Sequence, residues 1–457
     1  MNFKQDTIIL INNNERNRMN ILKITIILLV VLLYSGCVKQ KVEHRTINDL
    51  KTIKQKPYIY AKEFKTIPNK LSAQLILDFE KNYFYPWHTN KFTFTYEEAT
   101  WGNIYAKKEV YSENLTRISK EWFDVMITNS NFGKFDTLRK QAITINNSHL
   151  KVFPTISKIF YDPNEAGEGF PFDYNENSSI KINTPLFVSH LSKDKLWAFI
   201  ESSVAIGWIK VSDIAYVDEK FMNIFENGNY YINLKDNTNI YKNGYLLSDI
   251  DLGTLFPKVK KGFIIASKDY KNNAFIRLID NNVNFKKIGI DFNANNIKRI
   301  STELIGERYG WGGILGNRDC SLMIKDFYAP FGIYLGRNSG KQKDAGHSID
   351  ISKLSDEMKK EFIIKNAIPF QTLIYLPGHI MIYVGKKNNE PLVFHNMWGV
   401  KTLDGDGNYG RNIIGKAAVT TLTPGSELDN YVEKYSVLRR LKSITMLTQK
   451  KEDKYTK

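Results

Sequence analysis

The first part of this 457-residue chain carries a helical pattern of hydrophobic positions. Leu71, Leu75, Ile76 and Phe79 recur at helical spacing, and a second helical pattern covers residues 115–125. The pattern predicts a mainly helical domain over residues 71–145.

From about residue 146 the pattern changes to short alternating runs separated by turn residues. Leu186–His190 and Leu196–Ile200 are two such runs of strand length. The spacing predicts two consecutive all-β modules, over residues 146–218 and 219–290. The alternative is one larger sandwich.

A helical pattern returns near Ile297 and is followed by further strand-like runs up to residue 445. We therefore predict an α+β domain over residues 291–445 and a polar, frayed tail over 446–457. The fold class expected for the chain is multidomain α+β.

The N-terminal residues are typical of an export signal. Ile24–Leu33 is apolar except for Thr25 and is too short to span a bilayer as a helix. It has the length of the apolar core of a signal peptide, and the small residues before Cys37 resemble the lipobox of bacterial lipoproteins. We predict a signal segment over residues 1–37 with Met19 as initiator, lipid on Cys37, and a polar tether over 38–70.

This segment predicts an exported, periplasmic protein, lipid-anchored to a bacterial membrane. An uncleaved membrane anchor is the alternative, and it also places the body of the chain outside the cytoplasm.

The chain is basic, with a formal net charge of +16. Such a charge favours anionic partners, including nucleic acid, phospholipid surfaces and cell-wall polymers. The lysines are scattered, however, and no arginine-rich stripe marks a nucleic-acid surface. We predict no nucleic-acid partner.

Cys320 is the candidate nucleophile. The only other cysteine is Cys37, so a lipidated Cys37 leaves Cys320 without a disulfide partner. Asp319 is a good N-cap for a helix that starts at Cys320, and the helix N-terminus favours the thiolate. Three glycines, Gly310, Gly312 and Gly313, permit close backbone approach, and N–H groups of this turn are candidates for an oxyanion hole. The alternative is a buried structural cysteine.

Two histidines are candidates for the partner base. The runs 379–385 and 392–396 are strand-like and flank a turn, and a hairpin symmetric about residue 387 sets His379 directly opposite His395. One imidazole then orients the other beside a thiol, as in a Cys-His-X triad. No histidine pair at i,i+4 and no CxxC pair indicates zinc, and we expect no metal or other cofactor.

Four short motifs in this part of the chain resemble the NlpC family of papain-like cysteine peptidases, which act on bacterial cell-wall peptides. They are Tyr309-Gly-Trp-Gly-Gly, Asp319-Cys-Ser, Leu376-Pro-Gly-His-Ile-Met-Ile-Tyr-Val-Gly and Val393-Phe-His-Asn. Upstream, Val152-Phe-Pro-Thr and Gly207-Trp-Ile-Lys-Val-Ser-Asp-Ile-Ala resemble the first SH3-like barrel of a multidomain subgroup. The resemblance implies a papain-like catalytic domain preceded by a helical domain and two SH3-like barrels.

The resemblance also implies roles for single residues. Cys320 would be the nucleophile, His379 the base and acid, and His395 the residue that orients it. Tyr309 and Asp319 would hold the free L-Ala amine of the substrate, and Ser321 is counted with them as substrate-binding. Here Leu322 follows Ser321, where the family often has glycine.

The implied reaction is hydrolysis of the γ-D-glutamyl bond to a diamino acid in peptidoglycan stem peptides or muropeptides. Two alternatives remain open at this point. One is a peptidoglycan-binding lipoprotein without activity, and the other is an acyltransferase of the same fold.

Overall fold

The computed structural model describes residues 42–449. The first elements are short except for two amphipathic helices: β1 (Val42–Glu43), α1 (Asn48–Thr52), α2 (Asn69–Phe84), α3 (Tyr96–Ala99) and α4 (Lys120–Asn129). Buried Phe84 of α2 stacks near Trp87 and near Tyr230, with ring centroids 5.6 Å and 5.2 Å away. These aromatic contacts join the helical region to the β region that follows, and the predicted helical N-terminal region is confirmed.

The first β module is a seven-stranded antiparallel sheet in the order β4-β3-β7-β6-β5-β2-β8. Its strands are β2 (Lys140–Thr144), β3 (Ser148–Lys151), β4 (Glu176–Ile180), β5 (Pro185–Leu191), β6 (Trp197–Ser202), β7 (Ile206–Lys210) and β8 (Ile214–Tyr216). Leu150, Leu186 and Ile209 are fully buried inside it. Strand β2 pairs with both β5 and β8, so the module begins before the expected boundary at residue 146.

A second β module follows helix α5 (Glu219–Phe225). Its strands are β9 (Tyr230–Asn233), β10 (Thr238–Lys242), β11 (Tyr245–Ile250), β12 (Leu255–Val259), β13 (Gly262–Lys268), β14 (Ala274–Ile279) and β15 (Phe285–Lys287). Five of them form the sheet β14-β13-β12-β9-β15, and β10 and β11 form a separate hairpin. The two modules share no strand and bury separate cores. The alternative of one larger sandwich is therefore wrong.

The C-terminal domain packs helices on both faces of a second seven-stranded sheet, in the order β1-β20-β19-β18-β17-β21-β16. Its elements are α6 (Ala294–Leu304), α7 (Cys320–Tyr328), α8 (Ser339–Gln342), β16 (His347–Asp350), α9 (Asp356–Asn366), β17 (Thr372–Leu376), β18 (His379–Lys387), β19 (Glu390–Leu403), β20 (Tyr409–Thr420), α10 (Val437–Arg440) and β21 (Ser443–Met446). Met323 and Phe327 of α7 pack on one face of the sheet, while Ile363 of α9 packs on the other. The first residue of α7 therefore lies near the start of β18.

Residues 42–60, expected to be part of a polar tether, form an ordered strap along this domain. Strand β1 pairs in parallel with β20, and Ile47 is fully buried against Met397 and Ile414. The polar side chain of Gln55 donates to and accepts from the backbone of Val419. The strap lacks a periodic pattern because single polar and apolar side chains, scattered along it, make its contacts.

The C-terminus also differs from the expectation. Met446 ends β21, Leu447 is buried, and Thr448 donates to the side chain of Gln371. The chain is therefore ordered beyond the residue at which the frayed tail was expected to begin.

Within residues 42–449, no helix has both the length and the apolar character needed to cross a bilayer. The predicted signal segment and the lipidation site at Cys37 lie outside the described residues.

Candidate active site

Cys320 is the first residue of α7 and is only 7% exposed. Asp319 caps the helix, because its carboxylate accepts from the backbone N–H of Leu322 at 2.8 Å. The thiol also lies beside the backbone N–H of Ile380, the residue after His379. The capped helix start therefore holds the sulfur against the beginning of β18.

The carboxylate of Asp319 is already bound by a buried arginine. Arg337 donates to both carboxylate oxygens, at 2.6 and 3.1 Å. Arg337 also donates to the hydroxyls of Ser321, at 2.9 Å, and of Ser178, at 2.7 Å. Asp319 is therefore an N-cap and one half of a bidentate ion pair that reaches the first β module.

Ser321 belongs to the same network, since its hydroxyl donates to Asp319 at 3.0 Å. Asp319 and Ser321 were both assigned to substrate binding from the sequence. In the structure their polar atoms bond to protein groups, and substrate contacts for them stay predictions.

Two of the glycines before Cys320 allow the first β module to contact this turn. Gly312 and Gly313 have φ values of +63° and +94°, a region that glycine adopts at little cost. A Cβ atom on Gly313 would collide with Ser179, and one on Gly312 with the backbone of Glu176. The close approach is therefore to β4.

The two candidate histidines bond to each other. His379 Nε2 and His395 Nδ1 are 2.7 Å apart, and His395 Nε2 is 2.9 Å from the hydroxyl oxygen of Thr420. Thr420 in turn donates its proton to the carbonyl of Thr421, at 2.7 Å.

This chain of hydrogen bonds defines the tautomers. A carbonyl oxygen only accepts, so the Thr420 hydroxyl donates its proton to the Thr421 carbonyl. The hydroxyl oxygen must then accept from His395 Nε2–H. Neutral His395 then has a lone pair on Nδ1, which accepts from His379 Nε2–H. Neutral His379 is left with a lone pair on Nδ1 as its free basic atom.

The hairpin that carries the histidines has a different register from the one expected about residue 387. Lys387 pairs with Glu390, and the turn is made by Asn388 and Asn389, with φ values of 49° and 63°. Two asparagines with positive φ form a two-residue hairpin turn. The expected direct opposition of the two histidines is wrong.

A β-bulge nevertheless puts the histidines on one face. The pairing shifts after Tyr383, which faces Val393, so that Val384 is an extra residue in β18. Side chains alternate along a strand, and this one extra residue brings His379 and His395 to the same side. Without it they would point to opposite faces of the sheet.

Two cavities flank this centre and share Tyr309 and Gly378. The first, of about 560 Å³, contains Cys320 and is walled by the helical region, the first β module and the C-terminal domain. The second, of about 410 Å³, contains His379 and is lined by the C-terminal domain together with Phe172. The centroid of the Tyr309 ring lies 6.1 Å from that of Phe172 and 5.8 Å from that of Trp398. A substrate bound across the centre would place one half in each cavity.

Comparison with family models identifies the domain that carries this centre. Residues 306–408 match the NlpC/P60 family. The C-terminal domain is an NlpC/P60 domain. Upstream, residues 26–135 match the N-terminal stabilising domain of NlpC/P60 proteins, and residues 158–210 match an SH3 domain of the SH3b1 type. The predicted family and the SH3-like character of the first β module are confirmed, and the SH3-like character of the second module stays a prediction.

One solved structure shows the same architecture. An NlpC/P60 endopeptidase from Photobacterium damselae subsp. piscicida superposes with a TM-score of 0.82 at 24% identity, over 90% of this chain and 100% of that one. An NlpC/P60 family protein from Bacillus cereus ATCC 10987 has a TM-score of 0.39 at 15% identity, over 60% and 82% of the two chains. Only the first is similar enough to support the fold. The comparison with curated protein sequences finds no match.

Burial sets the protonation states in the NlpC/P60 domain. Burial, with the nearby Asp319 carboxylate, raises the pKa of the Cys320 thiol to about 12 and outweighs the backbone N–H groups that lower it. Burial, followed by the charge of Arg440, lowers the pKa of His379 to about 4. Burial also holds the pKa of His395 well below its usual value. The resting centre therefore holds a neutral thiol and two neutral imidazoles, and the thiolate expected from the helix N-terminus is not the favoured form.

Arg337 and Thr420 of the NlpC/P60 domain were not found from the sequence. Arg337 lies in a loop after α7, where no periodic pattern marks it. Thr420 ends β20, two strands away from β18, and is fully buried. Its contact with His395 follows from strand order, which the sequence analysis did not assign beyond the first hairpin.

Proposed function

We propose that this chain is a cysteine endopeptidase that hydrolyses the γ-D-glutamyl bond to a diamino acid in peptidoglycan stem peptides or released muropeptides. The observation that carries the proposal is the relay His379–His395–Thr420 together with a thiol at a helix start that lies beside the backbone N–H of Ile380, the residue after His379. The NlpC/P60 family match agrees with this chemistry.

The first half of the reaction forms a thioester. As the sulfur of Cys320 attacks the γ-carbonyl carbon, Nδ1 of His379 accepts the thiol proton. The tetrahedral oxyanion is stabilised by backbone N–H groups at the start of α7. When the C–N bond breaks, the imidazolium of His379 returns the proton to the leaving amine.

The second half releases the acyl group. Water takes the place of the amine, His379 accepts one of its protons, and the hydroxide attacks the thioester carbon. The C–S bond breaks, and the proton on His379 returns to the sulfur. Because His379 must gain and lose a proton in both halves, a neutral imidazole with a free Nδ1 suits both roles.

We propose that the first cavity takes short peptides rather than polymeric wall. Its walls include Trp101 and Tyr105 from the N-terminal region and Tyr174 from the first β module. If the L-Ala end of the substrate lies in this cavity, these side chains would oppose a sugar attached to it. Tyr309 and Asp319 are proposed to face the L-Ala amine at this end.

The experiment is mass spectrometry of L-Ala-γ-D-Glu-diaminopimelate and of disaccharide muropeptides incubated with the full chain and with Cys320→Ala. We expect cysteine-dependent release of diaminopimelate, faster from the free tripeptide. Binding to purified sacculi without any product would instead support a wall-binding protein, and a product mass increased by an added amine would support a transferase.

We also propose that the chain is exported and held at a membrane by lipid on Cys37. The apolar run before Cys37 and the small residues next to it support this assignment. Incorporation of labelled palmitate by the full chain, and its loss in Cys37→Ala, would test it. A Cys37→Ala protein that still takes up the label would contradict it.

A further inference from the structure

The second cavity is strongly basic. Lys401, Arg411 and Arg440 line it, and within residues 42–449 no aspartate or glutamate does. The rest of its wall is mostly aromatic or apolar, including Phe172, Trp398 and Tyr431. Three positive charges in a concave, partly desolvated site attract an anion more strongly than the same charges on an open surface.

None of the three cations forms a salt bridge with a described carboxylate. Arg440 donates one N–H to the carbonyl of Pro377, at 3.0 Å. The Nε–H of Arg411 is buried and has no hydrogen-bond partner among the described residues. A buried donor without a partner is costly, so Arg411 gains free energy if an acceptor binds beside it.

Lys401 is held between two aromatic rings. Its ammonium nitrogen lies 3.8 Å from the ring centroid of Tyr409 and 4.2 Å from that of Tyr435. Such cation–π contacts fix the ammonium without neutralising it. Burial, and then the charge of Arg411, lower the pKa of Lys401. An anion bound beside these residues would relieve that repulsion.

The position of the cavity indicates which half of the substrate enters it. His379 lines this cavity, whereas Cys320 lines the other. The acyl half stays with the sulfur, and the amine leaves toward the group that protonates it, which is His379. The basic cavity therefore lies on the side of the leaving amine.

We propose that Lys401, Arg411 and Arg440 form a carboxylate-binding site for the leaving diamino acid and select diaminopimelate over lysine. Diaminopimelate carries a carboxylate at the far end of its side chain, where lysine has only an ammonium group. This proposal rests on the proposed function, because it assigns the leaving half of that reaction. Arginine pairs well with such a carboxylate because its N–H groups match both oxygens.

The test compares kcat/KM of the full chain on three peptides. These are L-Ala-γ-D-Glu-meso-diaminopimelate, the same peptide amidated on the far carboxylate of diaminopimelate, and L-Ala-γ-D-Glu-L-lysine. We expect the first to be preferred by about 10- to 100-fold, as one charge-assisted hydrogen bond to a carboxylate allows. Arg411→Gln and Arg440→Gln should each reduce that preference about tenfold, and Arg440→Lys should retain more of it.

Arg439→Gln is the matched control. Arg439 is the neighbour of Arg440, but it pairs with Glu433 and Asp356 and does not line the cavity. Its loss should leave the preference at the wild-type value. General damage to the domain would lower all three rates together, whereas loss of this site changes their ratio.

Failure of this proposal differs from failure of the proposed function. Equal rates on the three peptides, or an unchanged preference in both glutamine variants, would overturn the carboxylate site and leave the peptidase intact. If no peptide is cleaved, calorimetric binding of free meso-diaminopimelate and of L-lysine still tests the carboxylate site. Tighter binding of diaminopimelate that Arg440→Gln abolishes supports the site, and equal binding of the two overturns it.

Discussion

At the scale of single residues, the decisive feature is which atoms of Thr420, His395 and His379 carry the protons. The hydroxyl of Thr420 accepts from His395 because its own proton is bound to Thr421. That arrangement leaves His379 with its basic atom free. In the proposed mechanism Thr420 is a positioning residue, since it would act on the chemistry only through His395.

We predict that Thr420→Val lowers kcat about 10- to 100-fold and changes KM little. The change leaves the buried His395 Nε2–H without an acceptor, at a cost of about 1–3 kcal/mol. The proton of neutral His395 is then no longer held on Nε2. Thr420→Ser keeps the hydroxyl and should restore most of kcat. Steady-state kinetics on the tripeptide measures both, and a wild-type kcat in Thr420→Val would show that the relay has no part in catalysis.

The thiol gives a prediction that depends on pH. Burial raises the pKa of Cys320 to about 12, and only the thiolate reacts with iodoacetamide. The alkylation rate should therefore rise about tenfold per pH unit from pH 7 to 10 without a plateau.

Asp319 is the second cause of the raised thiol pKa. Asp319→Asn removes the negative charge and should shift the alkylation profile to lower pH. The amide can still cap α7, so the helix start is retained. A plateau near neutral pH in the wild-type protein would instead indicate a thiolate–imidazolium pair at rest.

At the scale of elements, periodicity gave the order of helices and strands but not their register. The run from His379 to Gly385 is apolar and strand-like, so a hairpin was predictable. The turn was expected to centre on residue 387 and instead lies at Asn388 and Asn389. A bulge such as that at Val384 leaves no mark in a continuous apolar run. The histidine pair was reached through an incorrect register, because the turn and the bulge together amount to an even shift that preserves the face.

The glycine-rich turn shows the same limit. Its glycines predicted a close approach, which Gly312 and Gly313 make. The contact is with β4 of the first β module, and no local sequence pattern predicts a contact between segments so far apart in the chain. The sequence could likewise not place Arg337, which joins Asp319 to Ser178 across the same contact.

At the scale of the whole molecule, both β modules fix the segment that carries Cys320. Arg318 donates to Asp236 of the second module, at 2.7 Å, and Arg337 donates to Ser178 of the first. Arg318 is buried and also bonds to Asp326 of α7. The two modules therefore position the segment of Cys320, and the first of them also lines one cavity.

The strap gives a prediction about stability. Ile47 is fully buried, and its neighbours Met397 and Val400 also line the basic cavity. Ile47→Ala should destabilise the domain by about 2–5 kcal/mol and lower the midpoint of thermal unfolding. Val42→Ala, at a residue 38% exposed, is the control and should have little effect. Equal midpoints for the two variants would show that the strap is not part of the domain core.

If Cys37 carries lipid, the strap also limits the distance between the catalytic domain and the membrane. A tether up to residue 70 would have let the catalytic domain range widely above its anchor, but the chain already joins the catalytic sheet at Val42. Were Cys37 acylated, only four residues would lie between it and Val42, and these five steps of extended chain span at most about 18 Å. The cleft would then work close to the bilayer, on peptides that diffuse to the membrane surface.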